Sequence, residues 1–412
     1  MAVAVIDGAR TAFTKIGSTL KHQDAVKLGV KTVNPLAARY NLGKDAAGLL
    51  VFGTVIPHAA VSNISREVAL ESDLHPMTRS FSVVHACATS LSAVAEAASW
   101  ITRGSVPWAL AGGSESMSNF PVSFPSHMGS TLRDFQYSKT SGDKAKAILG
   151  LRPKDFVPQV PEVAERSTGL SMGQHCELMA QEWKIPRAEQ DAWAFKSHKD
   201  AAANLDKYKR FICFENDNLV RGDTSLERLA KLRPVFDEEK GTLTAGNASP
   251  LTDGGATVLL ADEDYARKKG WPILALLDDF EMSAVDIKHE GLLMAPPYAI
   301  LRLMKRHDMQ MDQFDVVEMH EAFAAQVLCN LKALQDETWC RERVGLPATK
   351  IPDRDRFNLW GGSLAVGHPF AATGARLVMQ TAQEMHDNKA NKGLISICAA
   401  GGLGMVATLK SP

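Results

Sequence analysis

The stretch Ser82-Val83-Val84-His85-Ala86-Cys87-Ala88-Thr89-Ser90-Leu91-Ser92-Ala93-Val94 decides the fold of this chain. Phe81–Val84 is an apolar run typical of a buried strand, and the Ala/Ser/Leu pattern after it predicts a helix through about Ile101. Cys87 therefore stands where a strand turns into the first turn of a helix. The unpaired N–H groups and the positive dipole end at that place favour a thiolate. Cys87 is a candidate nucleophile on this pattern, and a small buried cysteine at an apolar helix start is the alternative.

Short apolar strands alternate with amphipathic helices on both sides of this stretch, which predicts an α/β fold with a mainly parallel sheet covered by helices. In residues 1–117 the predicted strands are Val3–Ile6, Leu49–Val55, Phe81–Val84 and Trp108–Ala111, and the predicted helices are Asp24–Arg39, Ile64–Leu70 and Ala88–Ile101. The alternation resumes at Ala256–Ala261 with strands at Ile273–Leu277, Val316–Met319 and Leu394–Cys398 and helices at Tyr298–Arg306, Ala322–Leu334 and Gly374–His386.

Between these two regions the alternation is lost. Residues 118–247 are polar and punctuated by proline, with helices predicted at Leu170–Trp183 and Arg187–Asn204. We interpret this segment as a large insertion. A faint internal repeat connects the flanking regions, because Cys87 is followed by a helix and then Ala111-Gly112-Gly113, and His368 by a helix and then Ala400-Gly401-Gly402.

Composition excludes several classes of protein. The 412 residues are 45% hydrophobic and 23% charged, with a formal net charge of -1, which is typical of a globular chain and gives no basic excess for nucleic acid. The apolar runs are too short to span a membrane, and Met1–Asp7 predicts a strand rather than a targeting segment. Six scattered cysteines without CxxC spacing indicate reduced thiols and no metal site. We therefore expect a cytoplasmic protein, or one in an organelle lumen if a targeting segment has been removed.

Three further segments place reactive side chains at the ends of predicted elements. His368 stands just before a helix, between a glycine that allows close backbone approach and a proline that fixes the turn. Cys398 ends a buried strand at a glycine-rich turn, and His320 stands where a strand enters a helix. Taken singly, each has a structural alternative: a satisfied core histidine, a core thiol, and a polar group at a helix start.

Taken together and in order, these segments resemble the thiolase superfamily over nearly the whole chain. The motifs that carry the resemblance are His85–Ser90, Lys231-Leu232-Arg233-Pro234-Val235-Phe236, Leu243-Thr244-Ala245-Gly246-Asn247-Ala248-Ser249, Glu321-Ala322-Phe323-Ala324, Gly367-His368-Pro369 and Cys398 with Gly401-Gly402-Leu403-Gly404. The resemblance implies two similar βαβαβαββ halves in a five-layered αβαβα arrangement. The halves would be residues 1–117, completed by 248–268, and residues 269–412, with 118–247 as an inserted loop domain that binds CoA and substrate.

The resemblance also implies a role for each reactive residue. Cys87 would attack the 3-keto carbon of a 3-oxoacyl-CoA, His368 would take its proton, and Cys398 would protonate the acetyl-CoA carbanion. The backbone N–H groups of Cys87 and Ala400 would form one oxyanion hole. His320 stands where most thiolases have Asn, which resembles the β subunit of the fatty-acid β-oxidation trifunctional complex. It would hold a water or donate directly in the other oxyanion hole.

Coenzyme A would be a co-substrate, with no permanently bound cofactor. Arg221 would lie near the adenine, Ser249 would contact the pantetheine, and Met172 and Phe323 would line its tunnel. The alternatives are a solvated surface charge for Arg221 and core packing for Met172 and Phe323.

We expect a degradative 3-ketoacyl-CoA thiolase with ping-pong chemistry. The alternatives are a biosynthetic acetoacetyl-CoA thiolase, a condensing 3-oxoacyl synthase, which would need a histidine at Cys398, and a catalytically silent acyl-CoA-binding scaffold. The resemblance implies a homodimer, or an α2β2 complex with a hydratase/dehydrogenase α subunit. Basic residues alternate with apolar ones at about 121–160, which predicts contact with a partner or a membrane surface, or a lid over the CoA tunnel.

Overall fold

The computed structural model describes residues 2–159 and 163–412. Its strands are β1 (Val3–Thr11), β2 (Thr14–Lys15), β3 (Leu49–Gly53), β4 (Arg79–Ser82), β5 (Trp108–Glu115), β6 (Ile212–Phe214), β7 (Thr252–Asp262), β8 (Ala275–Ala284), β9 (Val316–Met319), β10 (Lys392–Ala399) and β11 (Leu403–Lys410). Its α-helices are α1 (Ala25–Arg39), α2 (Ile64–Glu71), α3 (Thr89–Thr102), α4 (Ser126–Tyr137), α5 (Ser141–Leu149), α6 (Met172–Glu182), α7 (Arg187–Ala203), α8 (Leu205–Lys209), α9 (Leu226–Ala230), α10 (Glu263–Lys269), α11 (Ile287–Glu290), α12 (Ala295–His307), α13 (Ala324–Gln335), α14 (Glu337–Trp339), α15 (Ser363–Val366) and α16 (Thr373–Asn388).

Two halves of the chain repeat one strand order. In the first half β1 is antiparallel to β7 and β7 to β5, and β5, β3 and β4 continue in parallel. In the second half β8 is antiparallel to β11 and β11 to β10, and β9 continues in parallel with β10. A parallel bridge between Val317 of β9 and Phe357 takes the place that β4 has beside β3. Antiparallel pairing of β1 with β8 joins the halves into one sheet order. The faint repeat in the sequence is therefore a repeat of topology.

Helices cover both faces of each half, which produces five layers. Along β1, Val5 faces a central core that contains α3 and α16, and its neighbour Ile6 faces an outer core with α1 and α2. Along β10, Ile395 faces the same central core, and Leu394 faces an outer core with α12 and α13. This period-two alternation, apolar on both sides, is what a sheet buried between helices requires. The arrangement is the predicted αβαβα fold, but the prediction of a mainly parallel sheet is wrong. The sheet is mixed, because β7 and β11 each run antiparallel to both of their neighbours.

The inserted segment adds a short strand to the sheet of the first half and leaves its strand order intact. β7, which follows the insertion, lies between β1 and β5, and β6 within the insertion pairs in parallel with β1. Sequence patterns missed α4, α5 and β11, and they extended two strands too far. β3 ends at Gly53 and β4 at Ser82, whereas the sequence patterns continued to Val55 and Val84.

No helix in residues 2–159 and 163–412 combines the length and the apolar character needed to cross a membrane.

The two central helices pack unusually closely. A Cβ built on Gly374 of α16 would lie 2.3 Å from the backbone nitrogen of Leu91 in α3, so only glycine fits. The backbone N–H of Ala375 donates a hydrogen bond to Ser90 Oγ at 2.8 Å, which ties the first turns of both helices together. Because Cys87 and His368 stand just before α3 and α16, this contact sets the distance between the two halves of the reactive site.

We expect Gly374→Ala to lower the free energy of unfolding by about 1–3 kcal/mol, because the methyl group forces α3 and α16 apart in a well-packed core. Urea unfolding measures the change. Gly142→Ala in exposed α5, where the nearest atom lies 3.9 Å from the new methyl group, is the matched control and should be neutral or stabilising by up to about 1 kcal/mol. A Gly374→Ala protein as stable as the wild type would contradict the packing argument.

Candidate active site

Cys87 lies in a tight turn, Ala86–Ala88, between β4 and α3. Ala86 adopts a φ of +44°, a left-handed conformation that costs free energy for any residue with a side chain. Thr89 holds the turn, since its Oγ1 accepts from the His85 N–H at 2.8 Å and donates to the Ala86 carbonyl at 2.7 Å. The turn presents the thiol of Cys87 at the N-terminal end of α3.

His368 approaches this thiol from the other half of the molecule. Its Nε2 lies 3.1 Å from Cys87 Sγ, and its Nδ1 lies 2.7 Å from Thr373 Oγ1. The preceding Gly367 has a φ of +100°, and a Cβ there would meet Leu219 at 2.6 Å. The glycine thus permits both the backbone conformation and the close packing that aim His368 at the thiol. Cys87, His368 and Thr373 thus form a hydrogen-bonded chain of a nucleophile, a base and a residue that orients the base, as nucleophilic catalysis requires.

Both members of this pair are neutral at rest. Burial raises the pKa of the Cys87 thiol to about 12, and the backbone N–H of Ala400 only partly offsets this. Burial, followed by the positive charge of Arg376, lowers the pKa of His368 to about 3. Burial therefore opposes the thiolate that the N-terminus of α3 was expected to favour. The thiolate forms only when His368 accepts the proton.

Cys398 and Ala400 complete one side of the site. Cys398 is buried near the end of β10, and burial, followed by the proximity of Cys87, raises the pKa of its thiol well above the ordinary value. The backbone N–H of Ala400 lowers the pKa of the Cys87 thiol, and Ala400 and Cys87 line the same cavity, which places this amide near the reactive sulfur. Gly401 and Gly402 follow with φ values of +84° and +70°, which form the turn that exposes the amide.

His320 lies on the other side of His368, with ring centroids 4.1 Å apart. Its Nδ1 lies 2.9 Å from Ser363 Oγ, and its Nε2 is buried with no hydrogen-bond partner among the described residues. Burial is the main cause that lowers the pKa of His320 well below the ordinary range. His320 is therefore a neutral imidazole with one unused nitrogen.

One thiol and two imidazoles thus converge, with ligand atoms of Cys87, His320 and His368 within 4.8 Å of one another. Sequence spacing indicated no metal site, because these residues come from three distant segments of the chain. The same donor types bind Zn²⁺ in other proteins. The 3.1 Å contact between Sγ and Nε2 is that of an acid–base hydrogen bond, which accounts for the pairing of Cys87 with His368.

A largely apolar cavity of about 540 Å³ opens onto these residues. Met172, Ser249 and Phe323, which the sequence analysis assigned to CoA, line it together with Cys87 and His368. Arg221 does not. It is exposed and lines a neighbouring pocket of about 350 Å³ beside Asp223 and Arg228.

Glu115 is a positioning residue that the sequence analysis missed. Its buried carboxylate accepts hydrogen bonds from the backbone N–H groups of Val55 and Ile56, each at 3.0 Å, and from that of Ala371 at 3.4 Å. It therefore fastens the loop after β3 to the turn before α16, on two sides of the cavity. An acidic residue at the carboxyl end of β5 was the available signal.

Comparison with known proteins agrees with this fold. Residues 3–264 match the family model "Thiolase, N-terminal domain" and residues 271–411 match "Thiolase, C-terminal domain". The chain is 40% identical to a 3-ketoacyl-CoA thiolase of Pseudoalteromonas translucida, over 99% of this chain and 97% of the relative. It is 39% identical to one of Pectobacterium carotovorum subsp. carotovorum, over 99% and 96%.

Among solved structures, the chain is similar to the Bacillus anthracis acetyl-CoA acetyltransferase, with a TM-score of 0.82 at 26% identity over 100% of this chain and 99% of that one. The family models together span both halves of the molecule, and the relatives match along almost their full length. The predicted resemblance and fold class are confirmed, and the chain belongs to the thiolase family.

Proposed function

We propose that the chain is a 3-ketoacyl-CoA thiolase of fatty-acid β-oxidation that cleaves 3-oxoacyl-CoA with CoA into acetyl-CoA and a shortened acyl-CoA. The observation that carries the proposal is the 3.1 Å contact between Cys87 Sγ and His368 Nε2 at the wall of an apolar cavity that Cys398 and Ala400 also line. The names of the relatives at about 40% identity support the same reaction.

In the first half-reaction His368 Nε2 accepts the Cys87 proton while the sulfur attacks the 3-keto carbon. The backbone N–H groups of Cys87 and Ala400 stabilise the resulting oxyanion. Each such donor lowers the activation free energy by about 3–4 kcal/mol. The bond between carbons 2 and 3 then breaks, and its electron pair leaves with the acetyl-CoA enolate. Cys398 donates a proton to that carbanion, and the acyl group remains on Cys87.

Between the two half-reactions the proton on His368 passes to the Cys398 thiolate, which returns both groups to their resting forms. The thiol of a fresh CoA then gives its proton to His368 and attacks the acyl-Cys87 carbonyl. The Cys87 sulfur leaves and recovers a proton, so atoms and charge balance without a permanent cofactor. Ser249, Met172 and Phe323 would contact the pantetheine arm in the cavity. Arg221, in the neighbouring pocket, would serve the adenine end outside the tunnel.

The trifunctional-type assignment rests on His320 and on a surface formed by α4 and α5. Tyr137 and Leu149 at the ends of these helices are 76% and 83% exposed, which is unusual for large apolar side chains. The residues that line the cavity come from other segments of the described chain, which favours a contact surface over a lid. We propose that this cytoplasmic enzyme forms a homodimer and uses α4 and α5 to meet an α subunit or a bilayer.

CoA-dependent thiolysis of short, medium and long 3-ketoacyl-CoA substrates tests the activity. Cys87→Ser should lower kcat by at least about a thousandfold, because the acyl-enzyme no longer forms. Cys213→Ser, which replaces an exposed thiol, is the matched control and should retain the wild-type rate. Turnover restricted to the shortest substrate would support an acetoacetyl-CoA thiolase instead, and no turnover with any would support a silent scaffold.

The resting protonation state predicts the pH dependence of alkylation. Because the pKa of Cys87 is raised to about 12, its thiolate fraction is below that of a free cysteine at neutral pH and increases about tenfold per pH unit. His368, with its pKa lowered to about 3, stays neutral and adds no step in this range. The rate constant of iodoacetamide with Cys87, measured by peptide mapping, should rise continuously from about pH 6 to about pH 10. A plateau that begins below neutral pH would indicate a preformed thiolate–imidazolium pair.

Cys398→Ala should separate the two chemical steps. Loading of an acyl group from acyl-CoA onto Cys87 should persist, whereas exchange of the acetyl-CoA α-protons with solvent should fall at least about a hundredfold, since the acid–base group is lost. Mass spectrometry follows loading, and proton NMR in deuterated water follows exchange. Cys340→Ala removes a buried thiol that is not among the residues that line the cavity, and it should change neither step. Undiminished exchange in Cys398→Ala would exclude the assigned role.

A further inference from the structure

His320 is held in place through its backbone N–H and one of its two ring nitrogens. Its backbone N–H donates to the Ser396 carbonyl at 2.8 Å, and its Nδ1 lies 2.9 Å from Ser363 Oγ. Nε2 remains without a partner among the described residues, although the side chain is fully buried. A buried ring nitrogen without a partner is costly, so its use must be sought in what the site binds.

Ser363 decides which nitrogen of His320 carries the proton. Arg376 Nη2 lies 2.8 Å from Ser363 Oγ, and because a guanidinium only donates, the serine oxygen must accept from it. The hydroxyl proton of Ser363 then has one hydrogen-bond acceptor in reach among its contacts, the Nδ1 of His320. An Nδ1 that accepts a hydrogen bond cannot carry a proton in the neutral ring. The proton of His320 must therefore be on Nε2.

We infer that Arg376 and Ser363 are positioning residues that fix His320 as its Nε2–H tautomer, so that it donates a hydrogen bond to the thioester oxygen of the substrate. The identity of this acceptor rests on the proposed function, whereas the tautomer follows from the contacts alone. A direct N–H donor at this position replaces the alternative in which His320 only holds a water.

Arg376 is itself fixed deep in the molecule. It is 1% exposed, and its Nη1 donates to Gln380 Oε1 at 3.0 Å and lies 3.7 Å from Glu318 Oε2. These contacts fix the Arg376 guanidinium more firmly than that of a surface arginine. The relay from Arg376 through Ser363 to His320 is formed entirely by buried groups.

Burial, followed by the neighbouring His368 and the charge of Arg376, lowers the pKa of His320 and keeps its imidazole neutral. An imidazolium at this place would compete with Cys398 for the delivery of a proton to the enolate. A neutral Nε2–H stabilises the enolate oxygen and leaves the proton transfer at carbon to Cys398. The hydrogen-bond donor to the enolate oxygen, His320, and the acid that protonates the carbon, Cys398, are thereby separate groups.

Nitrogen NMR of the free enzyme tests the tautomer directly. Protein labelled with ¹⁵N-histidine, with His320 assigned through His320→Asn, should show a protonated Nε2 and an unprotonated Nδ1. In Ser363→Ala the two nitrogen shifts should move toward each other, because nothing then selects one tautomer. A protonated Nδ1 in the wild type, or unchanged shifts in Ser363→Ala, would overturn the inference whether or not the enzyme is a thiolase.

Kinetics test the consequence. Ser363→Ala should lower kcat and the exchange of acetyl-CoA α-protons by about tenfold, with KM and acyl loading onto Cys87 within about twofold, since only the enolate oxygen loses a donor. Ser363→Thr, which keeps the hydroxyl, should recover most of the exchange rate. Ser65→Ala removes a buried hydroxyl that bonds the Leu50 carbonyl in an outer layer, and it should leave both steps unchanged.

Equal loss of loading and exchange in Ser363→Ala would indicate a general structural defect and overturn the positioning role. Absence of thiolysis in the wild type, with the Nε2–H tautomer observed, would instead contradict the proposed function and leave the tautomer assignment intact.

Discussion

The hydrogen bond between Cys87 and His368 joins the two halves of the molecule, and the rest of the structure serves to hold it. Each residue stands just before a central helix, and the two helices meet so closely that Gly374 tolerates no side chain. Glu115 fastens the loops on either side. A reactive contact of 3.1 Å thus depends on packing between elements that are far apart in the sequence. The repeated topology explains why Cys87 and His368 meet, because they stand on equivalent turns of two similar halves that face each other.

Burial gives the site its electrostatic character. Thiols and imidazoles are all driven to their neutral forms, and the charge of Arg376 adds to this for both histidines. A site of neutral groups holds no ion pair in advance, so charge develops only as the reaction proceeds. In the proposed mechanism the N–H groups of Cys87, Ala400 and His320 stabilise that charge. The same desolvation explains why the helix N-terminus alone does not produce a thiolate.

The sequence was sufficient where chemistry coincides with the end of an element. Cys87, His368 and Cys398 each interrupt an apolar pattern at a turn, and the layered fold follows from the alternation of strands and helices. Glu115, Ser363 and Arg376 were not found, because their roles arise from contacts between distant segments that no local pattern encodes. The protonation states of Cys87 and His368 could not be predicted from the sequence either, since they depend on how deeply the folded protein buries these side chains.

We propose that Cys87, activated by His368, carries the acyl group. Incubation of the enzyme with a 3-ketoacyl-CoA without free CoA, followed by acid quenching and peptide mass mapping, measures where the acyl group is attached. We expect one acyl group on the peptide that contains Cys87, formed much more slowly in His368→Ala. An acyl group on another residue, or equally fast acylation without His368, would contradict this role of Cys87.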